Sequence, residues 1–363
     1  MTDDNCPKRV ALLSCGPPIA LKVLYCLHRL GARTDLVDLR RPSMARYSRY
    51  RSGHRGLHLD DTSPDGLARF GEALQAYCQQ RGIEAVVGGD ILAAGIIHAV
   101  SGQLTNTLAF PASPLSTLGM LDDKWRFQTF MVKHDIPCPR AICLESTEDV
   151  DNIETQGLRF PLVIKPLYGE SSHGIVRVAE PGAIHHHLAS GGRHARFPLL
   201  AQEYAPGFDA DLSVLAKDGE VLCHVLQSRR SDCSLAFFED ESVLEIGRQI
   251  VRAANYTGVA NIDVRIDEHT GEVRVLECNP RFWYTLQASL WAGLNFVEAG
   301  FAVARGEPVN HPAPTTGAYH LHSCLLKRLL WRPGQWRHIA PYNLRGLLQA
   351  ATDPLPFIMQ RFG

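Results

Sequence analysis

Hydrophobic and polar residues alternate along two stretches late in the chain, residues 261–267 and 273–281. A period of two is typical of β-strands that bury one face. The segment between them carries Gly271, where a tight turn is expected. The pattern therefore predicts a β-hairpin.

The predicted hairpin carries polar residues that a buried sheet does not require. If its turn is centred near Thr270, Asp263 lies opposite Glu277. Asn279 lies two residues beyond Glu277 and shares its face, and Arg281 follows. Carboxylate and amide oxygens in such a cluster suit Mg²⁺ that holds nucleotide phosphates. We therefore expect a metal site formed by Asp263, Glu277 and Asn279.

The N-terminal part of the chain alternates short apolar strands with amphipathic helices. Residues 10–14 and 35–39 have the composition of buried strands, and residues 19–30 between them have helical periodicity. A further helix at 67–81 and a strand at 85–88 repeat this order. Strand–helix–strand order predicts a parallel, doubly wound α/β layer of the Rossmann-like kind.

The centre of the chain combines helices with hairpin-connected strands, which predicts an α+β unit. The predicted helices are 122–134 and 241–256, and the predicted strands before the opening hairpin are 160–166, 175–178, 199–205, 212–216 and 221–227.

The composition is that of an ordinary globular protein, with 363 residues, 45% hydrophobic and 21% charged, and a formal net charge of −1. This balance argues against nucleic acid as a partner. The ten cysteines include no Cys-x-x-Cys pair, so we expect reduced thiols and a cytoplasmic location. The polar start has no signal-peptide core, and no stretch approaches the roughly 20 apolar residues of a membrane span.

A lysine and a glycine-bounded loop follow one of the buried strands. Lys165 ends the strand and can offer its ammonium group to phosphate oxygens. Gly169 and Gly174 permit backbone geometries in which N–H groups face an anion. Ser171 and Ser172 add hydroxyl donors. The pattern fits a phosphate-binding loop, and it also fits a plain hairpin turn.

Two further features near this loop each leave two interpretations open. His173 is either a phosphate or substrate contact or a solvent-facing loop residue. The strand 199–205 ends at Pro206, where exposed backbone groups can hydrogen-bond an adenine. Asp209 or Asp211 can then bind the ribose hydroxyls, or both are solvated acids of a surface turn.

Taken in order, these segments resemble the ATP-grasp superfamily over about residues 121–306. The most specific motif is Leu276–Trp283, and the ordered set of motifs is stronger evidence than any one of them. The resemblance is closest to the branch related to the large subunit of carbamoyl phosphate synthetase and to biotin carboxylase. The matching motifs are Asp123–Phe127, Val163–Pro166, Gly169–Gly174, Gln202–Val214 and Leu276–Trp283.

The resemblance implies an α/β and α+β fold with three parts. A Rossmann-like domain over residues 1–115 would precede an ATP-grasp domain over residues 116–310. The ATP-grasp domain would have two α+β subdomains, a small lid over about 140–205 and then the metal-binding subdomain. A small helical C-terminal extension, residues 311–363, would complete the chain.

The resemblance also implies a role for each candidate residue. The implied contacts to ATP are Lys124, Lys165, Gly169, Ser171, Ser172, His173, Gly174, Glu203, Tyr204, Ala205 and, at the ribose, Asp211. The implied Mg²⁺ ligands, for which Mn²⁺ is a substitute ion, are Asp263, Glu277 and Asn279. The implied catalytic residues are Arg281, Lys165 and Arg229.

The implied activity is an ATP-dependent ligation that activates a carboxylate as an acyl-phosphate and joins it to an amine. Two alternatives stay open: an enzyme that activates bicarbonate, as carboxylases and carbamoyl-phosphate enzymes do, and a non-catalytic ATP-binding regulatory protein. The expected partners are small-molecule carboxylates and amines, and an oligomer is compatible with the sequence.

Some features depart from the resemblance or fall outside it. Asp263 and Asp211 stand where relatives often have longer side chains, which shortens their reach. Cys278 points away from the face of Glu277 and is expected in the core. The basic, amphipathic stretch 320–331 fits either a membrane-surface or protein contact or a helix packed on the ATP-grasp core.

Overall fold

The protein folds around three β-sheets. The computed structural model describes residues 6–16, 18–169, 173–230, 234–309, 317–320 and 341–359. Ser171 and Ser172 and the basic stretch 321–331 therefore lie outside the described residues.

The N-terminal sheet has five parallel strands in the order β3-β2-β1-β4-β5. Its strands are β1 (Arg9–Ser14), β2 (Arg33–Asp38), β3 (Arg51–Gly56), β4 (Ala85–Gly88) and β5 (Leu108–Ala109). Helices α1 (Ile19–Arg29), α2 (Pro64–Arg81) and α3 (Ile91–Val100) connect them. Leu12 packs in the cluster that includes α1, whereas Leu13 packs in the cluster that includes α2 and α3. The strands are therefore apolar on both faces, as expected for a doubly wound sheet.

The second sheet has four strands in the order β6-β9-β7-β8. Its strands are β6 (Ala141–Leu144), β7 (Leu162–Pro166), β8 (Val176–Val178) and β9 (Leu199–Glu203). Helices α6 (Thr147–Asp151) and α7 (Pro181–Ala189) belong to the same part of the chain, after α4 (Leu115–Asp122) and α5 (Lys124–Lys133). Leu162 and Ile164 bury one face of β7, which leaves Val163 and Lys165 on the other face.

The third sheet is antiparallel, with six strands in the order β14-β13-β10-β11-β12-β15. Its strands are β10 (Phe208–Lys217), β11 (Glu220–Arg229), β12 (Ser234–Phe238), β13 (Gly258–Ile266), β14 (Val273–Asn279) and β15 (Gly317–His320). Helix α8 (Glu241–Ala253) covers its apolar face. Gly247 allows a close approach there, because a Cβ atom would lie 2.3 Å from Leu212 Cδ2.

The N-terminal sheet and the six-stranded sheet share one hydrophobic cluster. Helices α9 (Leu286–Trp291) and α10 (Phe296–Ala304) follow the last motif and pack near α1. Phe110 lies with its ring centroid 5.5 Å from that of Phe282 and 5.6 Å from that of Phe301. This packing holds the N-terminal domain against the sheet that carries the hairpin.

The described parts of the C-terminal region contact both the six-stranded sheet and the N-terminal domain. Strand β15 pairs with β12, so this part of the predicted helical extension is a strand instead. Helices α11 (Pro341–Thr352) and α12 (Leu355–Met359) follow. Asp353, only 2% exposed, accepts hydrogen bonds from Tyr25 Oη (3.1 Å), Ser48 Oγ (2.5 Å) and the Arg49 backbone N–H (2.9 Å). These bonds attach the segment to the N-terminal domain.

Candidate functional site

Three carboxylates form a row across the six-stranded sheet. Asp263 on β13 pairs in register with Glu277 on β14, so the predicted pairing is confirmed. On its other side, Asp263 pairs with Asp211 on β10. Directly paired residues of antiparallel strands share a face, so all three acids lie on the face opposite the buried Leu212 and Ile262.

Two polar residues that the sequence reading missed support this row. Asn261 donates from Nδ2 to Asp263 Oδ1 at 2.7 Å. Gln227 on β11 pairs with Asp211, is 0% exposed, and donates from Nε2 to Asp211 Oδ2 (3.3 Å) and Thr285 Oγ1 (2.7 Å). The available sequence signal for Asn261 was its position two residues from Asp263, on the same strand face. Gln227 had no such local signal, because it joins the row through its pairing with Asp211.

Burial and mutual repulsion disfavour the ionised form of two of the three acids in the row. Burial, followed by the neighbouring carboxylates of Asp211 and Glu277, raises the pKa of Asp263 well above its usual range. Burial also raises the pKa of Asp211 to about 6. Burial opposes ionisation of Glu277 as well, but the ammonium groups of Lys124 and Lys165 outweigh it and lower the pKa of that carboxyl.

Two lysines from different elements meet the row at Glu277. Lys124 is the first residue of α5, whose N-cap Asp123 accepts hydrogen bonds from two backbone N–H groups of the first turn. The Nζ atom of Lys124 lies 3.4 Å from Glu277 Oε2 and 3.4 Å from the carbonyl oxygen of Gly169. Lys165, 3% exposed, approaches from the end of β7.

A strand irregularity provides the hydrogen-bond partner of Lys165. The β13–β14 register shifts between Asp263 and Val264, which leaves Leu276 as the extra residue on β14. The Leu276 carbonyl accepts a hydrogen bond from Lys165 Nζ at 3.3 Å. Burial lowers the pKa of Lys165 to about 8, although the Glu277 charge acts in the opposite direction.

The two arginines that were predicted to be catalytic differ in burial. Arg281 is 7% exposed and donates to Asn279 Oδ1 and to the Phe282 carbonyl, each at 3.0 Å. Its guanidinium group is therefore held beside the predicted metal ligands. Arg229 ends β11 on the face of Gln227 and is exposed.

The glycine-bounded loop starts next to the lysines. Gly169 and Gly174 both have positive φ, +153° and +79°, as the loop geometry requires. The Gly169 carbonyl accepts from Lys124. His173 is exposed, and the centroid of its ring lies 6.3 Å from the ring centroid of His194.

The predicted adenine segment joins the two sheets of the ATP-grasp region. Glu203 Oε1 accepts a hydrogen bond from the Arg159 backbone N–H at 3.0 Å. The Tyr204 backbone N–H donates to the Pro161 carbonyl at 3.0 Å, and Ala205 is buried. Both polar contacts anchor this segment to residues 159–161, just before β7.

The donor set is compatible with a divalent cation. Within the part of the chain that the structure describes, no group of three or more His, Cys, Asp or Glu residues is arranged to hold a metal ion. The predicted set is different, with two carboxylates and the Asn279 amide. Asp263 lies between two other carboxylates that each raise its pKa. A hard cation would relieve this repulsion, so these oxygens fit Mg²⁺.

The sheets, the row and the lysines together define the ATP-grasp class of fold. A model described as "RimK-like ATP-grasp domain" matches residues 121–234. A second, described as "ATP-grasp in the biosynthetic pathway with Ter operon", matches residues 196–323. Residues 121–323 of the chain therefore belong to the ATP-grasp superfamily, which confirms the resemblance seen in the sequence.

The chain is similar to curated ligases and synthases over part of their lengths. It is 30% identical over 160 residues to a D-alanine–D-alanine ligase of Nitrosospira multiformis, covering 44% of this chain and 46% of that protein. It is 23% identical over 274 residues to a carbamoyl phosphate synthase large chain of Thermoanaerobacter sp., covering 68% and 24%. The match thus spans less than half the length of either relative.

Solved structures share the fold at low sequence identity. The biotin carboxylase domain of Hydrogenobacter thermophilus 2-oxoglutarate carboxylase, solved with MgADP and bicarbonate, has a TM-score of 0.62 at 18% identity, covering 86% of this chain and 73% of that chain. An ADP complex of N5-carboxyaminoimidazole ribonucleotide synthetase has a TM-score of 0.66 at 10% identity, covering 90% of this chain and 85% of that chain.

Among the described residues, no helix is long and apolar enough to cross a membrane.

Proposed function

We propose that this protein is an ATP-dependent ligase that activates a carboxylate as an acyl-phosphate and joins it to an amine, releasing ADP and phosphate. The observation that carries the proposal is the meeting of Lys124 and Lys165 at Glu277, in the row with Asp263. Cations for phosphate oxygens and oxygen ligands for a metal are thereby available at one place.

The two lysines neutralise the α- and β-phosphates of ATP in this proposal. They come from α5 and β7, so together they fix the phosphate chain from two directions. Lys165 is suited to this task because it is already desolvated and an anion would restore its full charge. The loop from Gly169 to Gly174, with Ser171, Ser172 and His173, would close over the triphosphate and exclude water.

Asp263, Glu277 and Asn279 would hold Mg²⁺, with Mn²⁺ as a substitute. The metal supplies charge neutralisation between ATP and the anionic carboxylate when it is bound. Gln227 and Asn261 orient Asp211 and Asp263 through the hydrogen bonds described above.

Asp211 is proposed here as a member of the carboxylate row, because it pairs directly with Asp263. Asp209 lies two residues closer to Tyr204 and shares a face with Asp211, so it is the better placed of the two for the ribose. Glu203, Tyr204 and Ala205 would bind the adenine.

Arg281 would stabilise the transferring phosphoryl group, since its guanidinium is held beside Asn279, one of the predicted metal ligands. Arg229 would bind the substrate carboxylate from the exposed end of β11. The domain boundaries proposed above, 1–115, 116–310 and 311–363, place this chemistry in the second domain.

The test is an ADP-release assay over pooled carboxylates and amines, with hydroxylamine added to trap an acyl-phosphate as a hydroxamate. Without hydroxylamine, we expect ADP and phosphate only when both co-substrates are present. With hydroxylamine, the carboxylate alone should give ADP, phosphate and the hydroxamate. Formation of AMP and pyrophosphate would contradict the acyl-phosphate route, and turnover with bicarbonate as the only acid would favour the carboxylase alternative. Nucleotide binding with no turnover in any pool would favour a regulatory protein.

The matched pair of variants for this assay is Glu277→Gln and Glu272→Gln. Glu277 lies in the row, whereas Glu272 is exposed near the hairpin turn and pairs with Arg274. Loss of the Glu277 charge is expected to lower turnover on the order of 100-fold. Equal effects of the two substitutions would show that the row is not the reacting site.

A further inference from the structure

The ring of Tyr204 contacts guanidinium groups from both the four-stranded and the six-stranded sheet. The Arg177 Cζ atom is 3.8 Å from the ring centroid, and the Arg265 Cζ atom is 5.1 Å from it. Arg177 belongs to β8 of the four-stranded sheet, and Arg265 belongs to β13 of the six-stranded sheet. One aromatic side chain therefore contacts both walls of the cleft.

Arg265 is itself firmly held. It donates to Asp209 Oδ1 at 2.9 Å, to Tyr204 Oη at 3.4 Å and to the Gly207 carbonyl. Gly207 has φ +102°, and a Cβ atom there would lie 1.9 Å from the Ile266 carbonyl oxygen. The chain from Tyr204 to Asp209 is thus packed closely around one guanidinium of the central sheet.

Arg177 shares a sheet face with the residues of the phosphate site. It pairs in register with Val163, which pairs with Gln202. Lys165 is two residues along the strand from Val163, so its side chain lies on the same face. Arg177 therefore contacts Tyr204 from the cleft side of the lid sheet and not from its hydrophobic side.

We propose that the side chain of Tyr204, together with Arg177 and Arg265, is a clamp that positions the base-binding backbone of residues 203–205 and joins the lid to the central sheet. The clamp rests on the proposed function, because it assigns a specificity role at the adenine end of the proposed nucleotide site. Tyr204 is a positioning residue in this arrangement, since its ring acts through the backbone that it fixes.

The physical basis is the attraction of a cation to the face of an aromatic ring, which depends on the ring. The hydroxyl group adds only the long hydrogen bond that it accepts from Arg265 at 3.4 Å. Phenylalanine should therefore preserve most of the effect, and leucine should abolish it. A displaced backbone loses its match to adenine more than its contacts to phosphates. We accordingly expect both the affinity for ATP and the preference for ATP over GTP to fall.

The experiment measures MgATP and MgGTP binding to the full chain by titration calorimetry, with thermal unfolding of each variant in parallel. Tyr204→Leu is expected to weaken MgATP binding about tenfold and MgGTP binding about twofold. Tyr204→Phe should stay within about twofold of the wild type for both nucleotides. Arg177→Met, at an exposed position, should reproduce the direction of the leucine variant, and the Arg177→Met/Tyr204→Leu double variant should be no weaker than Tyr204→Leu alone.

The matched control is Arg274→Met. Arg274 pairs in register with Arg265 and is hydrogen-bonded to Glu272. Its substitution therefore removes a guanidinium group that lies one strand further from the ring of Tyr204. Binding of both nucleotides by this variant should equal that of the wild type. A lower melting temperature in Tyr204→Leu with an unchanged ATP-to-GTP ratio overturns the clamp, as does an Arg177→Met protein with wild-type binding. Failure of the wild type to bind MgATP overturns the proposed function itself.

Discussion

Asp263 and Glu277 face each other directly across the β13–β14 pair, and the strand register shifts at the next residue of β13. The pairing brings two carboxylates together, and the shift releases the Leu276 carbonyl to Lys165. The pairing of the two acids and the hydrogen-bond partner of Lys165 thus both depend on the same stretch of hairpin.

Asp211 and Asp209 are expected to have separable roles. Asp211→Asn changes the carboxylate row, so we expect a higher Mg²⁺ requirement for ADP release and unchanged discrimination between ATP and 2′-deoxyATP. Asp209→Asn should have the opposite pattern, because Asp209 contacts Arg265 and not the row. Titrations of Mg²⁺ at fixed nucleotide distinguish the two. A ribose role for Asp211 would be supported if its substitution removed the discrimination.

Lys165→Met is expected to weaken ATP binding and to stabilise the nucleotide-free fold. The pKa of Lys165 falls from 10.5 to about 8 in the folded state, which corresponds to a cost of up to about 3 kcal/mol for burying its charge below pH 8. Between pH 8 and 10.5 the unfolded chain binds the extra proton, so wild-type stability rises with pH there.

The stability gain of Lys165→Met should therefore be largest below pH 8 and shrink as the pH approaches 10.5. Loss of the hydrogen bond to the Leu276 carbonyl reduces the gain, so we expect about 1–2 kcal/mol in practice. Denaturant unfolding at several pH values measures it. A variant that is less stable than the wild type at pH 7 would show that the lysine contributes net stability.

Gln227→Leu is expected to lower Mg²⁺ affinity about 10-fold to 100-fold, because the leucine cannot donate to Asp211 or Thr285. ADP release against Mg²⁺ concentration measures the change. Ser228→Ala on the neighbouring position of β11, which faces away from the row, is the control. Equal shifts for both substitutions would point to a general effect on the strand.

Asp353→Ala is expected to destabilise the protein by about 2–4 kcal/mol, since two buried donors and one part-buried donor lose their acceptor. Asp353→Asn keeps one acceptor oxygen and should cost less. Asp60→Asn, at an exposed position of the same N-terminal domain, should change the unfolding free energy by less than about 0.5 kcal/mol. An unchanged melting temperature in Asp353→Ala would mean that the C-terminal segment is not anchored there.

The sequence was sufficient where the signal is local. Alternation in the hairpin gave the Asp263–Glu277 register, and apolar runs located β1, β2 and β4 within one or two residues. The edge strand β3 was missed because it is arginine-rich and exposed, so it has no apolar pattern. Edge strands of this kind are stabilised by one neighbour and not by burial.

Other features depend on which strands are neighbours, and no local pattern contains that information. Gln227 joins the row only because β11 lies beside β10, and Asp211 joins it only because β10 lies beside β13. The contact between Lys124 and Glu277 likewise depends on the packing of α5 near β14. Only the family resemblance had placed these lysines near the metal ligands.

The hydrogen bond from Lys165 to the Leu276 carbonyl and the contact of Tyr204 with Arg265 attach the lid to the central sheet at two separate points. The first contact lies at the phosphate end of the proposed nucleotide site, and the second lies at its base end. A nucleotide bound there would therefore lie along the seam between the two sheets, with one inter-sheet contact at each end.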